Sequence, residues 1–115
     1  RKLVDVSINK KRFAKLNNQG HIILMFSVKN KSDKKIKAVK GVITFNNLSG
    51  EKIYAFNFVY DQLVPIRVGK KITWGATAPY NATKEKDRVF KDKALKDMKV
   101  VWQPKKIIFT DGSTL

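Results

Sequence analysis

Few residues in the chain carry side chains suited to acid–base or nucleophilic chemistry. His21 is the only histidine, it follows Gly20 at the start of an apolar run, and cysteine is absent. Any nucleophile–histidine arrangement would depend on this one imidazole, and a lone histidine at a strand start is more often a surface residue than a catalytic one. We therefore predict no catalytic residues and a protein that is not an enzyme.

The acidic residues do not group as metal ligands or as a catalytic pair. Calcium sites need several oxygen ligands from one loop, and the chain has no Asp-x-Asp-x-Asp run. Its glycines do not form a phosphate-binding loop, so we predict no metal and no cofactor. The densest carboxylates alternate with lysines, as in exposed ion pairs on a solvated surface, and they are Glu85, Asp87, Asp92 and Asp97.

The net charge is the most unusual property of the sequence. Lys and Arg number 25 against 9 Asp and Glu, which gives +16. Such a surface attracts polyanions through its long-range potential, so a cell-wall polyanion, anionic lipid or nucleic acid is one candidate partner. The candidate anion-binding residues in two of the basic clusters are Lys10, Lys11, Arg12, Lys29, Lys31, Lys34 and Lys35.

A second interpretation of the charge needs no ligand. The chain has 21 Lys but only 4 Arg, together with 8 Asn and many Ile, a mixture that AT-rich coding sequence produces by itself. Lysine is also weaker than arginine at bidentate recognition of phosphates or bases. We favour this interpretation, in which the lysines are a solvated surface.

Alternation of apolar and polar residues predicts about seven short strands. Residues 3–8 form the first, residues 10–19 a basic connection, and residues 21–30 a central strand. In residues 35–46 the alternation slips close to Gly41, which predicts a β-bulge. The Asn-Asn-Leu-Ser-Gly turn at 46–50 leads into residues 52–60, whose aromatic side chains we expect in the core: Tyr54, Phe56, Phe58 and Tyr60.

The second half of the chain continues this pattern after a loop at 61–69. Residues 70–79 form a strand, and a short helical segment near 84–97 follows, with Asn81 or Thr83 as its cap. Residues 98–102 and 107–109 are separate strands, because Pro104 would break a central one. We predict one all-β domain over residues 1–115, an immunoglobulin-like antiparallel sandwich.

Several segments resemble one family of domains. The strand ending in Val-Lys-Asn-Lys-Ser at 28–32, the Leu-Ser-Gly-Glu-Lys-Ile turn at 48–53 and the Val-Pro-Ile before Val-Gly-Lys at 64–70 are similar to FxLYD-like immunoglobulin domains of bacterial secreted proteins and lipoproteins. This resemblance implies an extracellular or envelope-associated domain without known activity, often anchored at its N-terminus. Because the sequence begins at Arg1 and not at Met, we expect that a leader, an anchor or a larger N-terminal part preceded it.

These observations predict a non-enzymatic interaction or structural module of the bacterial cell envelope. Its partner would be an unidentified protein or envelope component, bound by surface complementarity through an edge strand or loops. The alternative is an electrostatic binder of anionic partners through the lysine clusters. No apolar run is long enough to be a transmembrane segment.

Overall fold

The computed structural model describes residues 3–115, which form two three-stranded antiparallel sheets packed face to face. The strands are β1 (Val4–Leu16), β2 (Gln19–Asn30), β3 (Ile36–Asn47), β4 (Lys52–Ile66), β5 (Lys71–Pro79) and β6 (Met98–Phe109). A helix, α1 (Glu85–Asp92), and one 3-10 turn (Leu95–Asp97) connect β5 to β6. The predicted all-β sandwich with a helical segment near 84–97 is confirmed, with six strands in place of about seven.

The strand order is that of an immunoglobulin-like sandwich. One sheet has the order β1-β2-β5 and the other β4-β3-β6. In the immunoglobulin nomenclature these correspond to strands A-B-E and C′-C-F. Strand β2 therefore lies at the centre of the first sheet, as predicted, and β1 and β5 lie at its edges.

The core is built from the inward side chains of the two central strands and the aromatic residues that face them. On β2 the inward side chains from Ile22 to Val28 are at most 1% exposed, because every second side chain of a strand points to the same face. Phe58 of β4 packs edge to face against Phe26 of β2, with ring centroids 5.2 Å apart. The aromatic residues predicted for β4 do pack in or against this core.

Each flank of the sandwich is bridged by one tryptophan. On the first flank, Trp74 of β5 donates its indole N–H to the Val59 carbonyl of β4 at 3.2 Å. On the opposite flank, Trp102 of β6 donates to the Val4 carbonyl of β1, also at 3.2 Å. In both cases an edge strand of one sheet bonds to an edge strand of the other, so we name the two sides the Trp74 flank and the Trp102 flank.

Helix α1 covers one end of the sandwich with a single buried aromatic side chain. Phe90 is fully buried, and its ring stacks on Tyr54 with the centroids 4.2 Å apart. The predicted cap is wrong, because Lys84 holds the N-cap position without a side-chain hydrogen bond. Asn81 instead accepts the backbone N–H of Thr83 in the turn before the helix.

Three segments predicted to interrupt strands are part of them. Residues 10–16 extend β1, and the chain reverses at Asn17 and Asn18, whose positive φ values of 52° and 64° fit a tight hairpin. Strand β4 continues to Ile66, and Pro104 lies inside one continuous β6. The predicted bulge near Gly41 is confirmed, since the register with β6 shifts between Lys40 and Gly41.

Candidate anion-binding surface

Four of the candidate residues lie at one end of the sandwich, on the last residues of β2 and the turn that follows it. The turn is organised by Asn30, which is fully buried. Its side-chain amide donates to the carbonyls of Lys34 and Ile66, at 2.8 and 2.9 Å, and its oxygen accepts the Ser32 backbone N–H at 2.9 Å. Asn30 thus fixes the backbone from which the four cationic side chains project: Lys29, Lys31, Lys34 and Lys35.

A second basic turn joins the first, which sequence reasoning did not anticipate. The backbone N–H of Asn30 donates to the Lys70 carbonyl, and the Gly69 N–H donates to the Asn30 carbonyl, both at 3.0 Å. Residues more than 35 positions apart therefore meet at the same end of the molecule. We call this surface the basic end and define it by Lys29, Lys31, Lys34, Lys35, Arg67, Lys70 and Lys71.

Only part of the positive charge at the basic end is neutralised. Lys31 lies 4.0 Å from Asp5, and Lys34 lies 3.3 Å from Asp111. Hydrogen bonds from Ser113, assisted by Lys34, lower the pKa of Asp111 to about 2, so this carboxylate stays ionised at neutral pH. Within residues 3–115 the other basic-end side chains form no ion pair, which leaves their charge available to an anion.

The other three candidate residues, Lys10, Lys11 and Arg12, lie elsewhere. Lys10 pairs with Met25 of β2, four ladder positions from Lys29 and therefore about 13 Å away along the strand. The structure thus places the seven candidates in two groups and does not bring them together as one site.

Lys11 turns inward and is engaged within the protein. Its ammonium donates to the Lys91 carbonyl at 2.8 Å and lies 5.5 Å from the centroid of the Phe90 ring. Burial lowers the pKa of this ammonium, since desolvation disfavours the charged form. Lys11 therefore stabilises the packing of α1 on β1, and only Lys10 and Arg12 of this group are exposed.

The residues considered for catalysis or metal binding do not converge. His21 contacts the Gln19 carbonyl with its Nδ1 at 3.0 Å, and Asp87 accepts the backbone N–H of Asn81 at 2.8 Å. In the part of the chain that the structure describes, no three His, Cys, Asp or Glu residues group as metal ligands. None of the helical segments described between residues 3 and 115 has the length and apolar character to span a bilayer.

A second candidate surface, which sequence reasoning missed, lies along the Trp74 flank. A groove of about 540 Å³ separates β4 from β5 and is mostly apolar. Its lining includes core side chains that the sandwich leaves partly uncovered, Phe56, Trp74 and Ala76. The sequence signal was the uncharged run Ile-Thr-Trp-Gly-Ala-Thr-Ala at 72–78.

A larger cleft lies between the start of β4, the end of β5 and the beginning of α1. This cleft of about 1170 Å³ is lined by Tyr54 and Tyr80 and by three lysines, Lys52, Lys84 and Lys86. Burial raises the pKa of the Tyr54 hydroxyl, so it remains protonated and available as a hydrogen-bond donor.

The Trp102 flank also has a groove, of about 530 Å³, but its surroundings differ. Trp102 is only 5% exposed, and its bond to Val4 is buried. Leu95 of the 3-10 turn packs against the core beside it. The Trp74 flank is therefore the side on which the core is less completely covered.

Comparisons with protein families, with curated proteins and with solved structures found no match to this chain.

Proposed function

We propose that this protein is a non-enzymatic interaction module of the bacterial cell envelope. The envelope location rests on the resemblance of residues 28–32, 48–53 and 64–70 to FxLYD-like domains. The interaction role rests on the Trp74 flank, where a groove leaves the aromatic core open along an edge of the sandwich. Apolar surface of this kind is removed from water when a partner binds, which is the main favourable term in association.

Site-specific photo-crosslinking tests this proposal with a matched pair of positions. Val59 of β4 lines the Trp74 groove and is 49% exposed, while Val101 of β6 is equally exposed but lies at the opposite edge of the same sheet, away from the groove. A photo-crosslinking amino acid at position 59 should give a discrete adduct in envelope preparations of the source cell, and the same residue at position 101 should not. Identical adduct patterns, or none from position 59, would overturn the proposal.

Binding of an anionic polymer at the basic end is a second candidate function. The specific observation in its favour is that the fold joins the turn of residues 31–35 to the turn of residues 67–70, which concentrates cations that lack an ion-pair partner in the described chain. An anionic chain would displace counterions from this surface, so its affinity would fall steeply with salt.

The test uses polyphosphate as the probe and two double variants of equal charge. Lys35→Gln with Lys70→Gln removes two exposed basic-end cations, and Lys15→Gln with Lys96→Gln removes two exposed cations elsewhere. The first pair should reduce the slope of log affinity against log salt by about two, and the second should leave it unchanged. Equal reductions would mean that net charge alone attracts the polymer.

A further inference from the structure

Strand β5 has a free edge whose backbone groups can be assigned. Asn30 donates to the Lys70 carbonyl just before β5, and Tyr80 donates to the Gly20 carbonyl just after it. The register between β2 and β5 has no shift over its whole length, and hydrogen-bonded pairs alternate in an antiparallel ladder. Even-numbered residues of β5 therefore bond to β2, and Thr73, Gly75 and Thr77 direct their N–H and C=O groups away from it.

The centre of this edge lacks the features that normally prevent strand pairing, because Lys71 and Pro79 lie only at the two ends of β5. Edge strands are usually protected by lysines, prolines or bulges. Residues 72–78 contain no charged residue and no proline, and the ladder with β2 has no bulge. By contrast, β1 has a bulge between Ile8 and Lys10, and β6 contains Pro104.

The groove of the Trp74 flank lies beside this free edge. The inward side chains Ile72, Trp74 and Ala76 of β5 are only partly buried. Trp74 and Ala76 line the groove together with Phe56 and Phe58 of β4. A strand added to β5 would continue the alternation of the sheet, so every second side chain would enter the groove. Backbone pairing and apolar burial would thus be satisfied by the same extended segment.

Charge at the two ends of the edge indicates the chemistry of that segment. Lys70 and Lys71 lie at one end, and the cleft at the other end is lined by Lys52, Lys84 and Lys86. Two carboxylates, Glu85 and Asp87, also line the cleft; Asp87 is buried and already accepts the Asn81 N–H. The flanking charge is therefore positive, and the centre is neutral.

The same charges oppose pairing between two copies of the chain. A symmetric β5–β5 pair centred on Gly75 would bring Lys71 of one copy opposite Pro79 of the other, close to the cleft with its lysines. Each copy also carries a net charge of +16. Like-charge repulsion thus disfavours a second copy and favours an acidic partner.

We propose that β5 accepts an extended segment of a partner protein as an additional strand, with apolar residues facing the groove and acidic residues at both ends of the segment. This proposal rests on the proposed interaction role and specifies how the partner binds. The added strand would occupy the position next to β5 where strand D pairs with strand E in immunoglobulin domains.

A synthetic peptide of alternating valine and threonine, with glutamates at both ends, is the probe. Amide hydrogen exchange measured by NMR should show slow exchange at Trp74 and Ala76 in the free protein and fast exchange at Thr73, Gly75 and Thr77. Saturation with the peptide should slow the second set. Absence of binding, or protection at other strands, would overturn strand addition.

Two substitutions at position 73 isolate the contribution of backbone hydrogen bonding to peptide affinity. Thr73→Pro removes an N–H that the fold does not use and places a ring on the edge, which an edge strand tolerates. It should lower peptide affinity about tenfold or more, whereas Thr73→Val keeps the N–H and should bind normally. Unchanged circular dichroism of both variants confirms that they fold, and equal affinities would contradict the proposal.

Two further results separate this proposal from its alternatives. A peptide with glutamine in place of glutamate should bind more weakly, and equal binding would refute the acidic partner. Protection of Thr73, Gly75 and Thr77 that rises with protein concentration alone would identify a second copy as the occupant. An adduct from position 59 without peptide binding would retain the interaction role but reject strand addition.

Discussion

The Asn30 side chain offers a sharp test of how the basic end is held together. In Asn30→Ala the Ser32 backbone N–H loses its acceptor, and the carbonyls of Lys34 and Ile66 lose a donor. An unsatisfied buried polar group costs about 1–3 kcal/mol. Because the Ser32 hydroxyl, which also contacts the Asn30 oxygen, can donate to the Lys34 carbonyl in the variant, we expect a total loss of about 2–4 kcal/mol. For a domain of this size that lowers Tm by about 10 °C.

Asn47→Ala is the matched control. The Asn47 side chain also organises a turn, accepting the backbone N–H groups of Ser49 and Glu51 at 3.1 and 2.9 Å, but these bonds are exposed to water. Water can replace them, so the loss should be about 0.5–1 kcal/mol. Urea unfolding followed by circular dichroism measures both variants. If Asn30→Ala were no more destabilising than Asn47→Ala, the assignment of Asn30 as the buried centre of the basic end would be wrong.

Three further predictions concern other positions. A Cβ in Gly41→Ala would overlap the Trp102 ring, so thermal unfolding should show a loss of about 1–3 kcal/mol. Trp102→Phe removes a buried hydrogen bond and should lower the free energy of unfolding in urea more than Trp74→Phe, which removes an exposed one. The reverse order would contradict the assignment of the Trp102 flank as the more buried side. Hydrogen bonds from Ser113 lower the pKa of Asp111 from 3.8 to about 2. The stability that they contribute is therefore present above pH 4 and lost as pH falls towards 2. Urea unfolding of Asp111→Asn at several pH values should lack this pH-dependent part of the stability.

Local sequence patterns predicted those parts of the fold in which side-chain alternation reports burial directly. Residues 21–30 alternate apolar and less apolar positions, and β2 is the central strand whose inward face is fully buried. The slip in alternation beside Gly41 corresponds to a shift in register with β6. The segment near 84–97 contains α1, because Phe90 supplies the buried apolar anchor on one face of a mostly polar helix.

The pattern failed where a charged residue occupies an inward position. Residues 10–16 look like a basic loop, yet Lys11 lies inward because its ammonium lies over the Phe90 ring and donates to the Lys91 carbonyl. The hairpin turn at Asn17 and Asn18 was not predicted, because the basic residues before it were not recognised as a strand. Pro104 is accommodated at a register shift in β6, which lies at the edge of its sheet.

The candidate surfaces were less predictable than the strands. Four lysines of the basic end are close in sequence. Their meeting with Lys70 and Lys71 depends on backbone bonds between Asn30 and residues 69–70, which are separated in the sequence by two strands of the other sheet. The groove of the Trp74 flank exists because β4 and β5 are edge strands of their sheets. The order of strands in a sheet cannot be predicted from a short segment of sequence.

The different burial of the two tryptophan hydrogen bonds also determines where the two sheets can separate transiently. Trp102 and its hydrogen bond are buried, whereas the hydrogen bond of Trp74 is exposed to solvent. Separation of the two sheets should therefore start beside Trp74, with the Trp102 flank acting as the hinge. A small neutral quencher such as acrylamide would then reach one indole long before the other. Motion of this kind would widen the groove while leaving the β1–β6 contact intact, so the molecule would admit an incoming chain without losing its folded core.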